Sequence, residues 1–297
     1  MRSIAGGFIT FGGTRNQQDI AALAERVRQP IGPDFRLAVL SLKGGVGKTT
    51  VTIGLGSVLA SLRGDRVIAV DANPDLGTLA GRIPSQTIST VRDLLNEPNT
   101  RRYVDVRKHT SQATSRLEVL ASERDPAISE AFNEDEYLKA LEILEYHYNM
   151  ILTDCGTGLV HSAMSGVLKS ATALVLVTSP ALDGAQSAVD TLAWLGAHGY
   201  EQLAREAIVV IAASQSKNAP VDVEMLRNYF LGRTRAVQVI PYDNHLAIGG
   251  YVDLDNMQPA TRSAFLELAA TVVEPFAVRP PRFDAPNPFS GMAGPQP

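Results

Sequence analysis

The chain of 297 residues is poor in the features that mark export, metal scaffolding or membrane insertion. It has one cysteine, Cys155, so no intrachain disulfide can form, which fits a reducing cytoplasm. Its five histidines, His109, His147, His161, His198 and His245, are scattered, and Cys155 has no obvious base. A zinc site or a cysteine nucleophile therefore has little support. The first residues, Met1-Arg2-Ser3-Ile4-Ala5-Gly6-Gly7, contain no apolar stretch of the length a signal peptide needs. No apolar run approaches the ~20 residues that span a bilayer. The longest, Ala171 to Val177, has the length of a buried strand. The net charge of -4 gives no general attraction to nucleic acid or anionic lipid, although a local patch stays open.

What the chain does have is Lys43-Gly44-Gly45-Val46-Gly47-Lys48-Thr49-Thr50. An apolar, β-like run, Leu37 to Leu40, precedes it, and a helical run from Val51 follows. Strand, glycine loop and helix are the context a phosphate-binding loop requires. Gly44, Gly45 and Gly47 leave room for backbone N–H groups to turn toward phosphate oxygens. The start of the helix adds its free N–H groups and the positive end of its dipole. Lys48 can reach the β- and γ-phosphates, and the Thr49 hydroxyl can hold Mg²⁺. A glycine-rich turn with a chance lysine is the rival reading; the spacing, the Lys-Thr pair and the flanking pattern argue against it.

Around this loop, apolar strands alternate with helices. Strands are predicted at 36–42, 66–70, 117–121, 150–153, 173–178, 207–212 and 236–240. Helices are predicted at 49–62, 134–146, 183–197, 221–231 and 260–273. Several strands are apolar throughout, as expected where both faces are covered. The alternation predicts an α/β fold with a doubly wound, mainly parallel sheet, whose sites lie at the carboxyl ends of the strands. Residues 1–34 read as a separate N-terminal segment: a mobile glycine-containing start, then a short helix over 19–27 with Ile20, Leu23 and Val27 on one side. Residues 35–277 form the P-loop domain, and 278–297 a Pro-rich tail, extended or disordered.

Two aspartates end apolar strands and can face the phosphates: Asp71 after Val67-Ile68-Ala69-Val70, and Asp154 after Met150-Ile151-Leu152-Thr153. In a P-loop protein such acids hold Mg²⁺ directly or through water. Simple strand capping is the alternative for each. Arg101, Arg102, Arg107, Lys108 and Arg116, with Tyr103 and His109 among them, form a basic stretch that reads as a solvated loop or as a contact for DNA backbone or an acidic partner.

The loop departs from the plain Walker A pattern: Leu42 stands where the first glycine belongs, and Lys43 is an extra lysine. In this it resembles the deviant Walker A family of MinD and ParA, with the signature Lys-Gly-Gly-x-Gly-Lys-Thr-Thr/Ser. The resemblance covers roughly residues 35–275 and implies a P-loop NTPase of the MinD/ParA type that binds ATP and Mg²⁺. In that family the first lysine, here Lys43, reaches the nucleotide of the partner subunit, so a homodimer with ATP at its interface is implied. Asp154-Cys155-Gly156-Thr157-Gly158 resembles the Walker B and switch II region. Pro241-Tyr242-Asp243 matches the late loop that lies over the base. A guanine-specific Asn-Lys-x-Asp is absent; the nearest stretch is Ser216-Lys217-Asn218, and Ala212-Ala213-Ser214 stands where the family often has an adenine-contacting asparagine.

Asp71-Ala72-Asn73-Pro74-Asp75 resembles switch I but has Asn73 where the family usually has the aspartate that orients the attacking water. An amide cannot take a proton, and losing a positioned base costs on the order of 10²–10⁴-fold in rate. Hydrolysis is therefore expected to be slow, with Asp75 as a possible substitute. The wording of 40–50 and 66–75 is most similar to the actinobacterial, type VII secretion-associated EspI-like group. There a Pro-rich region often precedes the ATPase domain, so this chain matches a short relative or a fragment. The implied function is a cytoplasmic, nucleotide-dependent dimerisation switch with a secretion-system protein as partner. A ParA-type DNA-partition ATPase is the first alternative, and an ATP-dependent small-molecule synthetase the second. A C-terminal amphipathic membrane helix of the MinD kind is excluded by the prolines of the tail.

Overall fold

The computed structural model describes residues 17–33, 35–73, 77–122, 132–159, 162–213 and 221–278. Pro74, Asp75, Ser214, Ser216–Asn218, His161, the first sixteen residues and the tail beyond Val278 lie outside them, and so do the expectations placed on those positions. In chain order the elements are α1 (Gln17–Arg28), β1 (Phe35–Leu40), α2 (Lys48–Leu62), β2 (Val67–Ala72), α3 (Val91–Leu95), α4 (Tyr103–Arg107), β3 (Ser111–Gln112) and β4 (Glu118–Leu120). Then follow α5 (Glu134–Glu145), β5 (Met150–Cys155), α6 (Ser162–Ser170), β6 (Ala173–Thr178), α7 (Leu182–Ala197), α8 (Glu201–Arg205) and β7 (Ile208–Ala212). The last are α9 (Val223–Leu231), β8 (Ala236–Ile240), α10 (Asn244–Ala247) and α11 (Pro259–Val273).

The strands make one sheet in the order β3-β4-β2-β5-β1-β6-β7-β8. Every pairing is parallel except the short β3–β4 edge. The doubly wound sheet read from the sequence is thus present. Side chains alternate between its faces with period two. Phe35, Leu37 and Val39 of β1 join one apolar cluster, while Ala38 and Leu40 join the other. The same division holds for β2, β6 and β7. With both faces covered, the strands need no polar face, which is why they read as continuous apolar runs.

β6 and β8 have the ends the sequence predicts, and the other predicted strands differ from it by at most two residues at an end. β1 stops at Leu40 because the Ser41 hydroxyl turns back to the Lys43 carbonyl and accepts from the Lys43 N–H, ending the ladder and starting the loop. β2 and β5 run on to Ala72 and Cys155, so Asp71 and Asp154 lie within strands rather than after them, opposite one another in the β2–β5 register. The edge strand β3 and the short helices α3, α4, α8 and α10 have too few residues to show a period, and the sequence reading misses them and the nine-residue α6.

α1 seats Val27 in the core beneath the sheet, with Ile20 and Leu23 packed against the same cluster. Its C-terminal end is held by Arg63, whose Nη1 donates to the carbonyls of Val27 and Gln29. The N-terminal helix is therefore part of one face of the core. α2 lies between the sheet and α11 and is buried almost all round, from Val51 to Ala60. It approaches α11 so closely that a Cβ on Gly54 would stand 2.5 Å from Cζ of Phe265, a fully buried ring. We expect Gly54→Val to destabilise the fold by about 1–3 kcal/mol through overpacking. Urea unfolding checks this, and an unchanged midpoint would mean that the Phe265 ring can move aside freely.

Candidate nucleotide site

The loop between β1 and α2 turns through Gly45 and Gly47, whose φ values of 76° and 93° are open to glycine far more readily than to other residues. Gly47 is the N-cap of α2, so it supplies no side chain to cap the first N–H groups. The first turn also has no acidic residue. A helix normally satisfies those donors with a capping side chain. Here they are left for an anion, beside Lys48.

Lys48 is buried and donates from Nζ to Oδ1 of Asp154, 3.2 Å away. Two hydroxyls share the same carboxylate: Thr49 Oγ1 donates to Oδ2 at 2.7 Å, and Thr52 Oγ1 to Oδ1 at 3.2 Å. Asp154 is only 1% exposed, so these donors replace water around its charge. Thr49 also meets Thr78 across 3.3 Å. Thr52 was not foreseen as a site residue, although it stands one helical turn after Lys48, and that spacing was the signal available.

Asp71, also buried, accepts from the N–H groups of Asn73 and Leu79 and so shapes the loop after β2. Gly77 packs against it with no room for a side chain. Burial, and then the nearby Asp154 charge, hold the Asp71 carboxyl well above the usual carboxylate range. The two acids therefore differ: Asp154 meets the loop directly, while Asp71 holds backbone beneath it. Burial also pushes the Cys155 thiol far up, which leaves it unreactive as a nucleophile.

A cavity of about 630 Å³ opens over the loop. Its walls come from the carboxyl ends of β1, β2, β5, β6, β7 and β8, the position expected for a site on such a sheet. Gly44, Gly45, Val46, Gly47, Lys48, Thr49 and Thr50 form its floor, Lys43, Asn73 and Thr157 part of the rim, and Ala212, Ile240, Pro241, Tyr242 and Asp243 a wall. Of the predicted site residues, the two strand acids Asp71 and Asp154 do not line it; Asp154 reaches it through Lys48 and Thr49. Asp243 faces the cavity, but its Oδ1 accepts from the His245 N–H and its Oδ2 from the Gln258 N–H, so its carboxylate organises the wall. Lys43 forms an ion pair with Asp183 in the first turn of α7. No spacing in the sequence marks Asp183, or Arg82, which lines the cavity.

Four of the five cations of the basic stretch are tied down locally, while exposed Arg101 engages Asn99 through its backbone N–H. Arg102 pairs with Asp105, Lys108 with Glu97, and Arg107 donates to Thr110 and Gln86. Arg116 donates to the carbonyls of Ala60 and Arg63. These cations fasten loops to the sheet's edge. Among the described residues no group of three or more His, Cys, Asp or Glu side chains is placed to hold a metal, and no helix is long and apolar enough to cross a membrane.

A glycine loop at the carboxyl edge of a doubly wound parallel sheet, with a buried lysine and threonine on a strand-end aspartate, defines an α/β protein of the P-loop class. The chain belongs to the CobQ/CobB/MinD/ParA nucleotide-binding domain family, whose pattern matches residues 37–249. It is 38% identical over 256 residues to the ESX-1 secretion-associated protein EspI of Mycobacterium tuberculosis, a match that spans 86% of this chain and 38% of that protein's length. Its fold is similar to that of the cell-division ATPase MinD of Pyrococcus furiosus, with a TM-score of 0.63 and 23% identity over 80% of this chain and 98% of that one. MinD of Pyrococcus horikoshii, solved with Mg-ADP, gives a TM-score of 0.60 at 22% identity over 79% and 94% of the two chains.

The bond network predicts a stability effect before any ligand is added. Asp154→Ala leaves the buried Lys48 ammonium unpaired, and breaking a buried pair from one side costs about 3–5 kcal/mol. Urea unfolding of the ligand-free variant is expected to show a loss of that order; stability equal to wild type would mean that Lys48 finds water.

Proposed function

We propose that this chain is a cytoplasmic, ATP- and Mg²⁺-dependent dimerisation switch with slow hydrolysis, acting on a protein partner in a type VII (ESX) secretion system. The observation that carries the nucleotide part is the joint hold of Lys48 and Thr49 on buried Asp154 beneath an uncapped helix start. The identity with EspI, whose name ties it to ESX-1 secretion, supports the setting.

The residues suit Mg²⁺. That ion prefers hard oxygen donors and commonly takes one or two carboxylates plus substrate phosphates. Thr49 Oγ1 and Asp154 Oδ2 are such donors and already lie 2.7 Å apart. Bound there, the ion would neutralise charge on the terminal phosphates. The chain's own groups do the rest: the loop N–H groups and Lys48 hold phosphate oxygens, and Thr49 and Asp154 hold the ion. Asn73, on the rim, can orient a water through its amide but cannot accept the water's proton. Turnover well below ~10 s⁻¹, the median for enzymes, is expected. Asn73→Asp is expected to raise it by about a hundredfold. Single-turnover ADP release measures this; a wild type already turning over at ~10 s⁻¹ defeats the argument from Asn73.

Lys43 stands at the mouth of the cavity, half-exposed, and is held by exposed Asp183. Exposed ion pairs contribute little to stability, so Lys43 can exchange Asp183 for a phosphate on a facing subunit. Two nucleotides brought together across a two-fold axis need such counter-charges. Lys43→Ala is expected to bind Mg-ATP as a monomer within a few-fold of wild type and to form the ATP dimer at least about tenfold less well. Light scattering of both proteins with ATP and with ADP tests this; equal dimer populations in all four samples would leave Lys43 as a surface charge. The local pairing of the basic stretch disfavours the DNA-partition reading. ADP formation that depends on a small carboxylic acid would support the synthetase reading instead.

A further inference from the structure

Arg82 ends the short 3-10 turn Leu79–Arg82 that follows the loop after β2. Its side chain lines the same cavity as Lys48, Thr49 and Thr50. Nη1 of its guanidinium is closed off from solvent and has no hydrogen-bond partner. A guanidinium is always charged and carries five donors in a rigid fork that matches phosphate geometry. A buried charged donor without a partner is unfavourable. Nε of Arg92 and of Arg262 share that state, and Arg82 differs from them in lining the cavity, where a ligand can supply the acceptor.

The position of Arg82 selects which part of a nucleotide supplies it. Nη1 stands 3.3 Å from where a Cβ on Gly249 would be, and the Arg82 carbonyl accepts from the Val252 N–H at 2.8 Å. Both contacts are to the segment that continues from the Pro241–Asp243 wall. Lys48, held on Asp154, marks where the β- and γ-phosphates lie. A nucleotide with its terminal phosphates on Lys48 and its base along Pro241–Asp243 would have its α-phosphate between the two, in the cavity that Arg82 also lines. We propose that Arg82 is a further nucleotide-binding residue, whose guanidinium holds the α-phosphate. This rests on the nucleotide reading above and adds a contact common to ATP and ADP. It stands apart from Lys43, whose proposed contact is made across the dimer.

Calorimetric titration of Mg-ATP and Mg-ADP into wild type, Arg82→Met and Arg82→Lys tests the assignment. A hydrogen bond to a charged group sets the expected loss at about tenfold to hundredfold for Arg82→Met, by a similar factor for both nucleotides. Arg82→Lys keeps the charge without the fork and is expected to lose less. Melting of the ligand-free proteins separates binding from folding: Arg82→Met is expected to melt at or above wild type, because it removes a donor that had no partner. A lower ligand-free melting point together with unchanged affinities would make Arg82 a packing residue and overturn the proposal. Unchanged affinities with normal melting overturn it equally. A loss confined to ATP would place the guanidinium at the γ-phosphate and refute the α-phosphate assignment. A wild type that binds neither nucleotide would remove the nucleotide reading itself, a failure visible before any variant is made.

Discussion

A single buried carboxylate, Asp154, fixes the first turn of α2 against the end of β5 through Lys48, Thr49 and Thr52. The rest of the site depends on it. Without a counter-charge, Lys48 could not remain buried at the start of a helix whose dipole already opposes a cation there. With Asp154 in place, the lysine sits beneath the glycine loop and the loop's N–H groups stay open above it. The two threonines complete the hydrogen bonding of the acid, so a charged pair survives in a part of the protein that is otherwise apolar.

The second acid shows how burial divides labour between two identical side chains. Asp71 and Asp154 are register partners on neighbouring strands. Asp154 has the lysine, and Asp71 has two backbone N–H groups and a neighbour of like charge. Like charges side by side in a dry site resist ionising together. Thus one acid gathers three side-chain donors, while burial and an acidic neighbour push the other, which shapes the loop after β2, toward neutrality. The site is built as a charged floor and a wall, with Lys43 and Asn73 on the rim where a second molecule or a water can meet them.

How much of this was legible in the sequence follows from the range of each interaction. The phosphate loop, its helix and the parallel sheet were readable because local spacing and continuous apolar strands encode them. Lys48, Thr49 and Asp154 could be named because strand-end acids and a Lys-Thr pair have few other uses together. The end of β1 was misplaced because a single hydroxyl, that of Ser41, decides where it stops. Asp183 and Arg82 were invisible: Asp183 meets Lys43 from the first turn of α7, Arg82 lines the cavity from the end of a 3-10 turn, and no spacing connects either to residues 43–50. The basic stretch showed the reverse problem. Its charges stood out in the sequence, but their partners, such as Glu97 and the carbonyls of α2, appear only when the edge of the sheet is assembled.

The bond from Lys48 to Asp154 joins positions 106 residues apart. β1, which delivers the loop, has β5 and β6 as its neighbours, both far along the chain. Contacts of such separation form late in folding, because the chain must first surrender the freedom of the long intervening segment. A chain emerging from the ribosome has its glycine loop early but lacks the aspartate that holds it. On the proposed nucleotide reading, capture of the ligand would report completion: a half-made or misassembled copy carries the motif in its sequence but lacks the aspartate that holds the loop's lysine.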